Sequence, residues 1–304
     1  MSDIIWRAAA YVAVILLGYG MKRAGAFGPD DYKVLSKVLF NVTIPAAILS
    51  NVGSVRLDPA LLLLISMGLG ANLALLAAGL LLSRGRSRPT RALYGVNMPG
   101  YNVGAFMLPL AQSFLGPLAM AGTCIFDVGN AIMCTGGTYA VVSAVLDKES
   151  GFSLRSLAKS LSRSGPFLAY LVFLALVFLG VSIPAPVQSL IGVVAPANGF
   201  LAMLMIGTAM DIRFDRRYLV KALVVLGVRY ALSGAFALLC FFATPFPLEV
   251  RQAVALCMFA PLSALAPVYT EQCGGDPRLA GFVNTLSIPI GMAVIVTLVM
   301  AMGV

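Results

Sequence analysis

The chain reads as an all-α membrane protein: ten transmembrane helices in two inverted five-helix repeats, with the fourth and ninth helices broken. Three observations predict this. The 304 residues are 60% hydrophobic and 11% charged, against about 45–50% apolar and about 25% charged in soluble domains. Mean hydropathy is +0.95, so lipid must be the solvent for most of the chain. Apolar runs long enough to cross a hydrocarbon core of about 30 Å recur ten times, and the basic residues cluster in alternate connections between them.

The runs lie at 4–22, 33–54, 59–83, 89–114, 117–145, 165–182, 187–211, 217–243, 248–272 and 278–302. Segment 1 follows Met1-Ser2-Asp3 without a basic leader and ends at Lys22-Arg23 rather than at a small-residue cleavage site. It therefore reads as a helix of the mature protein and not as a signal peptide. Segment 2 carries Asn41 and Pro45, and segment 7 carries Pro196 and Asn198. Segment 4 contains Asn97-Met98-Pro99, and segment 9 contains Phe259-Ala260-Pro261. Gly116-Pro117-Leu118-Ala119 before segment 5 echoes Asp276-Pro277-Arg278-Leu279-Ala280 before segment 10. The longest connection runs from Asp147 to Gly165 and is polar. It divides a first repeat at 1–145 from a second at 165–304, with a cytoplasmic connecting loop at 146–164. Five helices per half is an odd number, so homologous halves would insert with opposite topology.

Orientation follows from charge. Seventeen basic residues fall in the odd-to-even connections: Lys22, Arg23, Lys33, Lys37, Arg84, Arg86, Arg88, Arg91, Lys148, Arg155, Lys159, Arg163, Arg213, Arg216, Arg217, Lys221 and Arg278. The opposite side has three, Arg7, Arg56 and Arg251. The positive-inside rule makes the rich side cytoplasmic and sends both termini outward, periplasmic in a bacterial inner membrane. The net charge of +9 is thus spread over membrane loops and forms no nucleic-acid-binding patch.

Several chemistries are excluded. The chain has no histidine, and Cys124, Cys134, Cys240, Cys257 and Cys273 are scattered without a CxxC, so neither a zinc site nor a disulfide framework is expected. No G-x-S-x-G, H-E-x-x-H, P-loop or G-x-G-x-x-G occurs. A catalytic site, a resident cofactor and ATP-driven transport within this chain are therefore not expected.

The chemistry concentrates in the broken segments. Segment 4 reads Asn97-Met98-Pro99-Gly100-Tyr101-Asn102-Val103-Gly104-Ala105-Phe106-Met107-Leu108-Pro109. Proline and glycine break helices, and the freed backbone must face protein or a wet cavity. Segment 9 repeats the pattern with Pro261, Ser263, Pro267 and Thr270. Paired interruptions in corresponding positions point to a midplane site, although packing also tolerates ordinary proline kinks. Half-helix starts favour anions, and the opposite ends favour cations. Asn97 and Asn102 offer donors and acceptors. The pattern suits a small carboxylate and a coupling cation.

Asp127 in segment 5 lies roughly 15 Å deep, about ten residues from the outer end, and Asn130 shares its face at i+3. A buried ionisable group in a membrane is usually functional. Asp127 is the candidate for binding a proton or a sodium ion, the competing reading being a structural helix–helix hydrogen bond. Arg229 sits in the middle of segment 8. It either pairs with a substrate carboxylate, whose plane suits a guanidinium, or stands as a fixed counter-charge to Asp127. Asp211 and Glu271 fall near solvated helix ends, and Tyr101 and Tyr269 read as packing or path-lining aromatics.

Leu17-Gly18-Tyr19-Gly20, then Leu35-Ser36-Lys37-Val38-Leu39-Phe40-Asn41-Val42-Thr43-Ile44-Pro45-Ala46, resembles the auxin efflux carrier family. So do Asn102 with Pro109, the Asp127/Asn130 pair, and Ala260-Pro261 leading to Gly274-Gly275-Asp276-Pro277. The resemblance implies scaffold helices 1, 2, 6 and 7, core helices 3–5 and 8–10, and a crossing of segments 4 and 9 beside which substrate binds. It implies Asn102 on a substrate carboxylate, with Gly104 and Ser263 nearby and Pro109 and Pro261 marking the breaks. Ser263 and Ala264 stand where plant carriers place further polar contacts, which argues against an auxin-like substrate. The long central hydrophilic loop of the long plant carriers is missing. A homodimer through the scaffold is allowed by analogy. The function implied is secondary transport of small organic anions, carboxylates of the malonate, malate or auxin kind, by alternating access. A sodium-coupled bile-acid-type symporter and a non-transporting membrane sensor or scaffold are the alternatives.

Overall fold

The computed structural model describes residues 2–53, 58–147, 153–210 and 216–303. Arg56, Lys148, Asp211 and Arg213 lie outside the described residues. All regular structure among the described residues is helical, apart from one antiparallel bridge between Tyr101 and Leu262. The helices are α1 (Ser2–Arg23), α2 (Tyr32–Leu49), α3 (Pro59–Leu82), α4 (Arg88–Asn97), α5 (Val103–Phe114), α6 (Pro117–Leu146), α7 (Leu154–Leu161), α8 (Gly165–Leu179), α9 (Ala185–Ala209), α10 (Arg216–Ala243), α11 (Leu248–Cys257), α12 (Ala266–Gln272) and α13 (Pro277–Met302). Seven of these, α1, α2, α3, α6, α9, α10 and α13, are long and apolar enough to cross a bilayer. α7 and α8 form an eighth apolar unit bent by 78°. The pairs α4/α5 and α11/α12 are the broken segments 4 and 9.

Local chemistry explains where the helices differ from expectation. Segment 2 was expected to run to residue 54, but α2 ends at Leu49. There the Ser50 hydroxyl and the Asn51 amide both donate to the Ala47 carbonyl, at 2.8 and 2.9 Å, competing with further helix. The central connection carries α7, whose Leu154, Leu157, Ala158 and Leu161 repeat at helical spacing. Ser153 caps it by accepting the Ser156 N–H at 3.2 Å. Pro109 does not mark a break. The interruption centres on Pro99-Gly100, and Pro109 lies inside α5. A π turn over Val103–Met107 precedes it, with the Leu108 N–H reaching back to Val103. The wider turn absorbs the donor that proline lacks. Pro45 follows a second π turn, Leu39–Thr43, in the same way.

Glycines set the tightest seams, as small residues do between helices in lipid. A Cβ on Gly129 of α6 would lie 1.9 Å from the Ile65 carbonyl oxygen of α3, and one on Gly68 would lie 2.2 Å from that of Phe126. α1 and α9 meet in the same manner: a Cβ on Gly207 would lie 2.0 Å from the Ile15 oxygen, and one on Gly18 2.5 Å from that of Leu204. α2 packs on α8 and α9, while α3 to α6 pack with α10 to α13. Gly129→Ala and Gly207→Ala should each destabilise the protein by roughly 1–3 kcal/mol through overpacking. At Gly227 a Cβ meets nothing within 4 Å, and Gly227→Ala should leave stability unchanged or higher. Thermal unfolding in detergent measures all three; equal effects would reject the seams.

Candidate functional site

The two broken segments meet backbone to backbone. α4 stops at Asn97 and helix resumes at Val103; α11 stops at Cys257 and helix resumes at Ala266. Between them the Asn102 N–H donates to the Pro261 carbonyl at 2.9 Å, and the Ser263 N–H donates to the Gly100 carbonyl at 3.2 Å. Tyr101 and Leu262 form the bridged pair. Gly100 has φ +87°, and a Cβ there would lie 3.1 Å from that of Ser263. Both the left-handed backbone and the close approach require glycine.

Extended backbone away from water needs partners, and buried side chains supply them. Asn72 of α3 accepts the Gly100 N–H at 2.5 Å and donates to Asn130 at 3.0 Å. The Asn130 Oδ1 accepts the Tyr101 N–H at 3.0 Å, and its Nδ2 donates to the Tyr101 carbonyl at 2.7 Å and to Asp127 Oδ1 at 2.6 Å. The Tyr170 hydroxyl of α8 donates to the other Asp127 oxygen. On the opposite strand, the Leu262 N–H donates to the Ser287 hydroxyl at 3.1 Å, and Asn284 donates to the Ser263 carbonyl at 3.2 Å.

Arg229 is fully buried. Its guanidinium donates to the carbonyl of Met98, and to those of Gly100 at 3.0 Å, Ala260 at 3.2 Å and Pro261 at 3.5 Å. It also lies 4.7 Å from the centre of the Tyr101 ring, a cation–π contact. The Tyr101 hydroxyl shares a 3.0 Å hydrogen bond with Ser233, one turn further along α10. One side chain thus serves the carbonyl ends of both α4 and α11, where the helix dipoles favour positive charge. Arg229 meets carbonyl dipoles and not Asp127.

Asn102, Gly104, Arg229, Pro261, Ser263, Asp127 and Asn130 therefore converge on the crossing. A Cβ on Gly104 would lie 3.9 Å from Asp127 Oδ2 and 3.5 Å from Ile44 Cδ1, so the carboxylate faces the start of α5. Asn97 and Pro109 stand apart. Asn97 donates to Thr270 at 2.8 Å and to Leu93 at 2.9 Å, tying α4 to α12. The Pro109 carbonyl accepts the Tyr11 hydroxyl at 3.1 Å. Beside Pro99, Gly100, Cys134, Thr138, Ser263 and Tyr269 lies a void of about 10 Å³, room for about one water. The sequence reading missed Asn72, Tyr170, Asn284 and Ser287. Asn72 carried a signal, a lone amide within the apolar run Leu63–Leu82; Tyr170 carried none, since a tyrosine within an apolar helix normally serves packing.

Residues 4–150 match the family described as Membrane transport protein. An "Uncharacterized transporter" of Methanothermobacter thermautotrophicus is 25% identical over 237 residues, covering 74% of each chain.

Removing the guanidinium strands carbonyls from two helix ends. Arg229→Ala should lower unfolding stability by at least about 2 kcal/mol, with Arg229→Lys falling between it and wild type because the planar fork is lost. Chemical unfolding in mixed micelles measures this, and an Arg229→Ala protein as stable as wild type would assign the crossing's stability elsewhere.

Proposed function

We propose that this chain, whose residues 4–150 match the family described as Membrane transport protein, is a secondary transporter of small organic anions working by alternating access. The observation that carries the proposal is the crossing itself: two interrupted helices joined by an antiparallel backbone bridge at Tyr101 and Leu262. In ordinary soluble or membrane bundles such unwound backbone serves no purpose, whereas broken helices build solute sites at the midplane. The reading takes the chain as ten crossings in two inverted repeats, residues 1–145 and 165–304, with both termini outside. α1, α2, α8 and α9 form the scaffold; α3 to α6 and α10 to α13 form the core.

The crossing has two electrical poles. Carbonyl ends of α4 and α11 already hold a cation, Arg229. The start of α5 carries the positive end of a dipole. The Asn102 and Val103 N–H groups are already held by the Pro261 and Tyr101 carbonyls, so the dipole and the Asn102 side chain, rather than those two amides, would meet a solute. The anion belongs there, on Asn102 and the surface that Gly104 leaves open, with Pro261 and Ser263 across the bridge and Asn97 bracing α4 against α12. Pro109 acts at a distance by setting the wide turn of α5.

Asp127 faces the same pole. Two negative charges within a few ångströms exclude each other, so a bound carboxylate requires Asp127 to be neutralised. A proton does this directly, and Asn130 and Tyr170 hold the carboxyl group in place. Since Arg229 occupies the carbonyl pole, a proton is a better coupling ion here than sodium. The reaction is then anion–proton symport. Ile44 fills the space before Gly104, so entry of solute requires the core to shift against the scaffold.

Anion affinity should accordingly rise as pH falls through the titration of Asp127. In Asp127→Asn, affinity should become independent of pH, and uptake of malonate or malate into proteoliposomes should no longer respond to an imposed pH gradient. Binding is read from thermal shift with mono- and dicarboxylates, and coupling from uptake under proton or sodium gradients. Gradient-driven uptake by the Asp127→Asn protein would reject the role, and a sodium requirement would favour the bile-acid-type reading.

A further inference from the structure

Away from the crossing, a groove of about 350 Å³ opens on the outer surface between the α3–α4 turn and the first turns of α10. Its composition is divided. Arg86 and Lys221 contribute two cations to its lining, with the polar Thr90 and Tyr94. Its remaining walls are aliphatic: Val220 is 69% exposed, Leu82 51% and Val224 42%. Exposed Leu223 and the bare backbone at Gly227 continue this apolar surface along α10, on the side that faces acyl chains.

We propose that this groove binds an acidic phospholipid, with the phosphate between Arg86 and Lys221 and one acyl chain along Val220 and Val224. Charge complementarity selects an anionic head group. Among the described residues neither cation makes an ion pair, and a phosphate accepts readily from both guanidinium and ammonium. The apolar walls select a lipid over a soluble anion, because aliphatic side chains beside a phosphate gain nothing from water. Position agrees: Arg86 lies in the α3–α4 turn and Lys221 in the second turn of α10, in the basic band expected at the membrane surface, where pockets between helices take acidic head groups. An occupant would bridge α4 and α10, the helix that ends at the crossing and the helix that carries Arg229. Binding should therefore stabilise the protein. The inference requires only that the chain is embedded in a bilayer and is independent of the transported solute.

The test uses the purified full-length protein in detergent, with native mass spectrometry for adducts and thermal unfolding for stability. Phosphatidylglycerol, phosphatidylcholine and inorganic phosphate are the three probes. Phosphatidylglycerol should form retained adducts and raise the melting temperature; the other two should not. R86Q/K221Q should bind phosphatidylglycerol roughly thirtyfold more weakly, as loss of two interfacial cations implies, while R155Q/K159Q, with the same charge change on α7, should bind as wild type. V224W, which adds bulk to the aliphatic lining and keeps both cations, should also lose the lipid. Equal shifts with phosphatidylcholine or with inorganic phosphate, or undiminished binding by R86Q/K221Q, would overturn the proposal.

Discussion

The structure depends on one constraint: backbone exposed by two breaks deep in a membrane must find hydrogen-bond partners inside the protein. Half of the solution is mutual, since the Asn102 and Ser263 amides donate across the bridge. The other half comes from side chains that have little else to do. Asn72 and Asn130 close the first strand, and Asn284 and Ser287 close the second. These four come from α3, α6 and α13, so the helices around the crossing are fixed by the groups it would otherwise leave unsatisfied. Arg229 then binds both strands at once from α10. A neutral side chain is a poor replacement, because the carbonyl ends of two helices converge there. The Gly100 and Pro261 carbonyls already have backbone donors across the bridge, while the half-helix dipoles still favour a positive charge.

Charge is organised by the same geometry. An arginine and an aspartate buried in one bundle would ordinarily be expected to pair, and pairing was one of the two readings for Arg229. The crossing separates them instead. Arg229 meets the negative ends of two half-helices, and Asp127 faces the positive start of a third. Each charge is compensated by fixed dipoles. The consequence is chemical: Asp127 can gain or lose a proton without leaving Arg229 bereft of partners. A direct ion pair would tie the two protonation states together and penalise the neutral carboxyl group.

Much of this was legible beforehand, for identifiable reasons. Lipid forces long apolar helices, so helix positions such as α3 and α10 followed from hydropathy within a residue or two. The breaks followed from Pro99-Gly100 and Pro261. What hydropathy cannot see is a compensating turn: Pro109 signals a break by composition, yet an unpredictable π turn carries the helix through it. Similarly, Ser50 and Asn51 end α2 early by local hydrogen bonds that a sliding window averages away. The amphipathic spacing in α7 was readable but lay inside a polar connection. Asn72 stood out in the sequence once one asks what a single amide does in an apolar run, whereas Tyr170 acquires meaning only because folding brings it to Asp127, 43 positions earlier.

The seams suggest how such an assembly moves. Within each group of helices, backbones touch through glycines: Gly18 and Gly207 join α1 to α9, and Gly68 and Gly129 join α3 to α6. Contacts that close cannot slide without steric overlap, so each group behaves as a rigid unit. Between groups the polar links among the described residues include Arg7 to the Ser113 carbonyl, Tyr11 to Pro109 and Ser113, and Tyr170 to Asp127, all made by side-chain tips. Tips can exchange partners where backbones cannot. Relative motion is therefore easiest between the groups, and the Asp127–Tyr170 hydrogen bond lies across that boundary. An ionised carboxylate accepts the tyrosine hydroxyl strongly, and a protonated one holds it less. On the proposed anion–proton reading, the group neutralised to admit an anion is also the group whose neutralisation loosens the boundary, and proton uptake, anion entry and release of the core would then follow from one titration.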